Sequence, residues 1–420
     1  MKYDILIIGA GAAGLMAMKD LAEAGYHVCM LEASAVAGGR IATVEEDGFE
    51  EPVETGSEFI HGNLTLTLQL LKEAGIAIEP VAGNMITVRK GKWMHEGSSD
   101  SQWEEFMNRL CKLEKDITIE NFLQQYFAAD KYLALRNTVK HYAEGFDLAD
   151  ISRASTLFIK DEWSHQGETQ YRIKGGYGKL VAYLEEQCRQ QNTVIHFNHP
   201  VYRIEHSKKY VIVYTAGNKN FQASKLIVTV PLGVLQNHSL QFIPALTTHA
   251  EAIRQLGFGA VIKVLMQFKT NFWKSYADDI GFILSDETIP TWWTQLPHEN
   301  NLLTGWLGGP HAVTMAAATD EILLHTALQS LSSIFNLSID TLQQQLMHHK
   351  IICWHNNPYI KGGYSYNTIT SGYTKTILAT PVNDTIFFAG EAYYTGAAQG
   401  TVEAALQSGR HAADQLKALL

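Results

Sequence analysis

Tyr3–Ile8 (YDILII) runs directly into Gly9-Ala-Gly-Ala-Ala-Gly14, and this stretch decides the fold. The nearly continuous apolar run predicts a strand buried on both faces. Each glycine after it has a physical task. Gly9 permits the tight turn, Gly11 lets the backbone approach a pyrophosphate, and Gly14 lets a following helix pack closely on the strand. Leu15–Ala24 supplies that helix, with Leu15, Met18 and Leu21 on one face, and Gly25 ends it. His27–Leu31 (HVCML) reads as a second strand, closed by Glu32, whose carboxylate can accept hydrogen bonds from a ribose. The helix N-terminus offers free N–H groups and the positive end of a dipole to phosphates. Strand, glycine turn, helix, strand and acid together predict a dinucleotide-binding unit. Ala13 within the turn and Ala33 after the acid complete its candidate contacts.

The rest of the composition narrows the class. The chain has 420 residues, enough for two domains, with 46% hydrophobic and 18% charged residues. A net charge of −10 gives it no general attraction to nucleic acid or anionic lipid. Cys29, Cys111, Cys188 and Cys353 are far apart and form no CxxC pair, which predicts reduced thiols and no metal site. A strand pattern begins at Tyr3, where a secretory signal would lie, and no apolar run approaches a bilayer span. These features predict a cytoplasmic protein without a membrane or nucleic-acid partner. The 17 histidines contain no HExxH; His348-His349 reads as exposed helix surface.

Beyond Glu32 the sequence continues Ala33-Ser-Ala-Val-Ala-Gly38-Gly39-Arg40. This LEAxxxxGGR stretch resembles the second fingerprint of the flavin-containing amine oxidase family. The resemblance runs nearly end to end. Glu54-Thr-Gly56-Ser57-Glu58-Phe-Ile-His61-Gly62 resembles a segment that passes close to the flavin. Arg172–Leu180 (RIKGGYGKL) resembles the glycine-rich entry to a returning helix of the FAD domain. Val201 matches a position against the adenine, and Leu226–Leu235 (LIVTVPLGVL) a strand of that domain. Trp354 to Ser365 resembles the W…GSYS segment beside the flavin ring. Gly390-Glu391 matches the strand-end F-A-G-E motif, and Gly400-Thr401-Val402 opens a last helix whose N–H groups would face the flavin pyrimidine. Lys263 lies alone in an apolar strand, a costly place without a partner or a role. In the family, the lysine there holds a water near flavin N5. His61 reads equally as a flavin neighbour or a structural loop residue.

The resemblance implies an α/β fold, a Rossmann-type FAD-binding domain (GR2-like flavoprotein) interleaved with an α+β substrate-binding domain. The nucleotide motifs fall in 1–78, 171–256 and 360–420, and the substrate domain takes 79–170 and 257–359. It implies FAD as cofactor and a small-molecule amine as substrate. Hydride would pass from the C–N bond to flavin N5, the imine would hydrolyse, and O2 would reoxidise the flavin to give H2O2. Lys263 and Tyr364 are the candidate catalytic residues. A flavoprotein acting on C–C bonds, or a non-catalytic relative that shares the scaffold, is the alternative; Lys263 and the Trp354–Tyr364 segment favour the amine branch.

The sequence also departs from the family. Gly363 stands where monoamine oxidases attach FAD through cysteine, so non-covalent FAD is expected. Tyr364 matches one aromatic wall of the flavin cage, but Ala397 stands at the other, leaving Tyr393 or Tyr394 to compensate. The Gly56–Phe59 stretch has no arginine for an amino-acid carboxylate. The chain ends at Leu420 after the FAD helix, with no apolar anchor in view. Ser101 to Lys140 shows helical stripes (Trp103, Phe106, Leu110, Leu113) expected to face a core. Trp292, Trp293 and Trp306 read equally as pocket lining or cross-strand packing.

Overall fold

A computed structural model describes residues 2–94, 101–163, 169–191 and 193–420. Its larger sheet has eight strands. Val194–His196, Val28–Leu31, Lys2–Ile8, Lys219–Val228 and Ile386–Phe388 lie side by side and parallel. The early half of Lys219–Val228 instead pairs antiparallel with Val211–Thr215, which continues to Val201–His206 and Gln241–Ile243. Ile5 and Ile7 pack on one face with Leu15, Leu21, Leu184 and Leu416 of three helices, Ala12–Glu23, Gly178–Gln190 and Val402–Leu419. Leu6 and Ile8 pack on the other with Val213, Leu226 and Ile253. Both faces are covered, so the strand carries no polar alternation.

The first helix spans Ala12–Glu23, three residues earlier than its apolar periodicity predicts, because Gly11 serves as its extended N-cap. The Leu226–Leu235 stretch is not one strand. Pairing ends at Val228, and Pro231 caps a short helix, Leu232–Gln236. A proline has no N–H for the ladder.

The second sheet has seven strands, in the order Leu346–Cys353, Val261–Phe268, Leu302–Gly308, Thr291–Trp293, Ile280–Ser285, Asn84–Arg89 and Lys92–Met94. Lys263 therefore sits in an inner strand, with Trp306 and Ile352 as its cross-strand neighbours. His348-His349 belongs to the strand Leu346–Cys353, not to a helix. Pairing with Val261–Phe268 overrides the local pattern, and His348 contacts Glu46 and the edge of Phe49. Helices Ser101–Cys111, Ile119–Tyr126, Leu133–Gly145 and Thr156–Trp163 share a separate core around Phe106, Phe122, Val139 and Trp163. Among the described residues no single helix is long and apolar enough to cross a membrane.

Candidate active site

The glycine turn leaves space on one side only. A side chain at Gly14 would place Cβ 2.0 Å from the Gly9 carbonyl oxygen, and one at Gly9 would meet the Thr229 hydroxyl at 2.7 Å. Gly9 also needs φ +105°. At Gly11, by contrast, the nearest atom to an added Cβ is the Gly38 carbonyl oxygen at 3.9 Å. Gly11 is thus the open member of the turn. The Gly38 N–H donates to the Ala10 carbonyl at 2.9 Å, which binds the second fingerprint to the first. Glu32 is buried where its strand ends, accepting from the N–H of Ala10 at 2.6 Å and of Ser34 at 2.7 Å. Open glycine, helix N-terminus and buried acid fit a dinucleotide diphosphate and ribose.

Arg40 gathers segments that are remote in sequence. Its guanidinium donates to Glu391 at 2.8 Å and to the Gly363 carbonyl at 2.7 Å. The other Glu391 oxygen accepts from the Ser365 hydroxyl at 2.6 Å. Gly390 fixes this corner, donating to the Ser408 hydroxyl of the last helix. The Arg40 carbonyl accepts from Ser57 N–H, and a side chain at Gly56 would come within 1.9 Å of it. Only glycine allows that approach. Trp354 donates its indole N–H to the Thr55 carbonyl at 2.9 Å. Thr401 caps the helix Val402–Leu419, and Glu403 turns aside to accept from the N–H groups of Leu66 and Thr67. Val201 packs on the apolar core that holds Leu31.

Lys263 has a partner that the sequence does not announce. Its ammonium, 1% exposed, donates to Glu58 at 2.8 Å and more weakly to the Gly56 carbonyl at 3.4 Å. It lies 5.4 Å from the centroid of the Trp293 ring. The other Glu58 oxygen accepts from Arg172 at 3.2 Å and from the Trp293 indole at 2.9 Å. Burial alone would raise the Glu58 carboxyl's pKa, but Lys263 and Arg172 more than offset it and hold it below the usual range. Glu58, a candidate cofactor contact from its segment, is thus held by Lys263 on one oxygen and by Arg172 and Trp293 on the other.

Tyr364 is half-buried and donates its hydroxyl to the Phe146 carbonyl. Gly400, at φ +71°, lies under its ring: an added Cβ there would be 3.1 Å from Cδ2. Burial, and then the charges of Asp147 and Glu162, push its phenol well above the ordinary range. Those two carboxyls are a further feature that the motifs missed. Burial and mutual repulsion raise Asp147 strongly, and burial pushes Glu162 up to about 7. Glu162 lines a cavity of about 640 Å³ together with Asp116, Asp161, Tyr373, Ala397 and Gln399. Tyr393 is buried in the apolar core with Leu31, Phe388 and Ala392. His61 packs between Phe59 and Phe146, and burial holds it neutral, with a pKa of about 4. Among the described residues no three His, Cys, Asp or Glu side chains converge as a metal site.

Fold and site together define a flavoprotein scaffold, and the comparisons with known proteins say which. A model of the flavin containing amine oxidoreductases matches residues 12–417, and the chain belongs to that family. It is 27% identical to lysine-specific histone demethylase 1 homolog 2 of Oryza sativa subsp. japonica, over 99% of this chain and 57% of that one. It is 28% identical to lysine-specific histone demethylase 1 homolog 1 of Arabidopsis thaliana, over 93% of this chain and 49% of that one. The chain thus spans about half the length of the curated relatives it matches. Among solved structures, a redesigned putrescine oxidase superposes with a TM-score of 0.84 at 20% identity, over 100% of this chain and 99% of that one. Cyclohexylamine oxidase from Brevibacterium oxydans IH-35A gives 0.80 at 20% identity, over 99% of both. By family the chain is one of the flavin containing amine oxidoreductases, and by fold it shares the α/β architecture of those solved structures.

Proposed function

We propose that this protein binds FAD non-covalently and oxidises a C–N bond of a small amine, with O2 as electron acceptor and H2O2 as product. FAD, when bound, supplies the hydride acceptor. The observation that carries the reading is Lys263, a fully buried lysine on an inner strand whose ammonium meets the Gly56–Glu58 segment. A buried ammonium is costly, and hydrophobic packing alone would not retain it.

The residues divide the work. Gly9, Gly11, Ala13, Gly14, Glu32, Ala33, Gly38 and Gly39 would hold the adenosine and diphosphate. Arg40, Gly390 and Glu391 would hold the centre of the cofactor, and Gly56, Ser57 and Trp354 the approach to its ring. The N-terminus of the helix behind Gly400, Thr401 and Val402 would stabilise negative charge. Lys263 would hold a water at the reacting face, and Tyr364 would orient the amine. Non-covalent binding is supported by Gly363, where a side chain would come within 2.5 Å of Leu148. Blocks 1–78, 171–256 and 360–420 form the FAD-binding unit in this reading, and 79–170 with 257–359 the substrate side. The exposed Ala397 and the acidic side chains of its cavity suit a cationic amine arriving from water. The amine must lose its proton to react, so the rate should rise with pH until that pKa is passed.

Purified protein should show the visible absorption of oxidised flavin, released on denaturation. Anaerobic putrescine, cyclohexylamine and a methyl-lysine peptide test the amine class, with a porphyrinogen as the C–C control. Bleaching by an amine supports the reading. Colourless protein that cannot be loaded with FAD, or bleaching by the porphyrinogen alone, overturns it.

A further inference from the structure

We infer that Glu58 is a positioning residue for Lys263, fixing the ammonium that the proposed reaction places beside the flavin. The inference rests on that reading of Lys263. A lysine side chain has a flexible four-carbon stem and three donors, so burial alone does not fix where its charge lies. Here two of its directions are set. One donor reaches Glu58 at 2.8 Å and another the Gly56 carbonyl at 3.4 Å, while the Trp293 face lies 5.4 Å away.

Glu58 is itself held from behind. Its second oxygen takes the Arg172 Nε at 3.2 Å and the Trp293 indole at 2.9 Å. Arg172 in turn donates to the carbonyls of Leu296 and Thr294 at 2.8 and 2.9 Å. Trp293 therefore acts twice, donating at its edge to the carboxylate and offering its face to the ammonium that the carboxylate binds. The charged groups that reach Lys263 are Glu58 and, more distantly, Glu54; Arg172 stands across Glu58, and the cross-strand neighbours Trp306 and Ile352 are uncharged.

A merely structural pair would tolerate apolar replacement of both partners. This pair adjoins functional backbone instead. Glu58 is two residues from Gly56, which packs on the Arg40 carbonyl, and Arg40 binds Glu391. Any shift of the ammonium is a shift relative to that segment.

The test uses FAD-loaded wild-type protein and the variants K263M, E58Q, E58D and E58Q/K263M. Flavin is reduced with dithionite, so no amine is needed, and reoxidation is followed in oxygenated buffer. K263M and E58Q should each slow reoxidation at least tenfold, and the double variant should be no slower than K263M. E58D, which keeps the charge but withdraws it by one methylene, should slow it severalfold. A pH titration of the resting flavin spectrum is the second readout. E58Q should show a step at a pH where wild type has none, because burial and Arg172 then disfavour the ammonium. The double variant should lack that step.

Multiplicative slowing in the double variant, or wild-type reoxidation in E58D and E58Q, overturns the inference. If E58Q fails to load FAD, wild-type behaviour of E58D suffices to overturn it. Wild-type reoxidation in K263M removes the Lys263 reading and this inference with it. Non-additive slowing without bleaching by any amine removes only the amine reading.

Discussion

Two carboxylate–cation pairs hold the candidate site, and they are built oppositely. In the Arg40–Glu391 pair the arginine side chain is 24% exposed, and a backbone carbonyl and a serine hydroxyl share the bonding. In the Lys263–Glu58 pair the two side chains are 1% and 6% exposed, and the surrounding groups are a second cation and two tryptophans. The first pair can exchange a protein partner for water or a ligand. The second keeps its protein partners, and the two contacts to Glu58 and Gly56 leave one ammonium donor over. An open pair suits binding, because a ligand can complete it; a sealed pair suits holding a charge in one place.

That contrast is broken or sharpened first by truncation. E58A leaves Lys263 and Arg172 buried without their carboxylate, and should cost the apoprotein about 3–5 kcal/mol in chemical denaturation. E391A leaves Arg40 its Gly363 carbonyl and some solvent, and should cost about 1–2 kcal/mol while sharply weakening FAD retention. Equal losses from the two variants would show that the exposure difference carries no energetic weight.

Acid separates the regions next. Glu58 has a folded pKa below the ordinary glutamate value, so its contribution is complete above that value and is lost as pH falls through the folded one. His61 adds a loss at higher pH. Its ring titrates at about 4 in the fold and 6.5 when free, so across that window the unfolded chain binds a proton that the folded chain refuses. Stability should therefore fall as pH drops from 6.5 toward 4, by up to about 1.4 kcal/mol per pH unit. H61F should flatten that slope in denaturation series between neutral pH and pH 5. An unchanged slope in H61F would place the proton uptake elsewhere.

The two regions also differed in how much the sequence disclosed. The glycine turn was legible because strand, turn, helix and acid follow one another along the chain, and each glycine acts on neighbours. Arg40 and Glu391 are 351 residues apart and were legible only as separate family motifs; the bond between them was not. Lys263 stood out as a charge in an apolar strand, but Glu58 is 205 residues away and Trp293 is 235 from Glu58. The one local signal was a glutamate set between Gly56 and the apolar pair Phe59-Ile60, which no periodicity could match to its partner. The strand Asn84–Arg89 is hidden for the same reason, since its parallel partner is Ile280–Ser285. At His348-His349 the local pattern reads as helix surface, but sheet pairing with Val261–Phe268 fixes the backbone as strand.

The smallest expected effect on stability is the sharpest probe of the open region. G11A adds one methyl group to the turn. No atom lies nearer to that methyl than the Gly38 carbonyl oxygen at 3.9 Å, and Gly11 has an ordinary φ of −78°. The apoprotein should therefore change by less than about 0.5 kcal/mol. The methyl occupies the side on which a diphosphate would approach the backbone, so FAD affinity should fall at least about tenfold, or about 1.4 kcal/mol. Flavin fluorescence on titrating FAD into apoprotein reads this directly. G14A provides the contrast, because its methyl meets the Gly9 carbonyl oxygen at 2.0 Å and must distort the turn itself. If G11A destabilises the apoprotein as G14A does, the turn is closed packing. If it leaves FAD affinity unchanged, the diphosphate lies elsewhere.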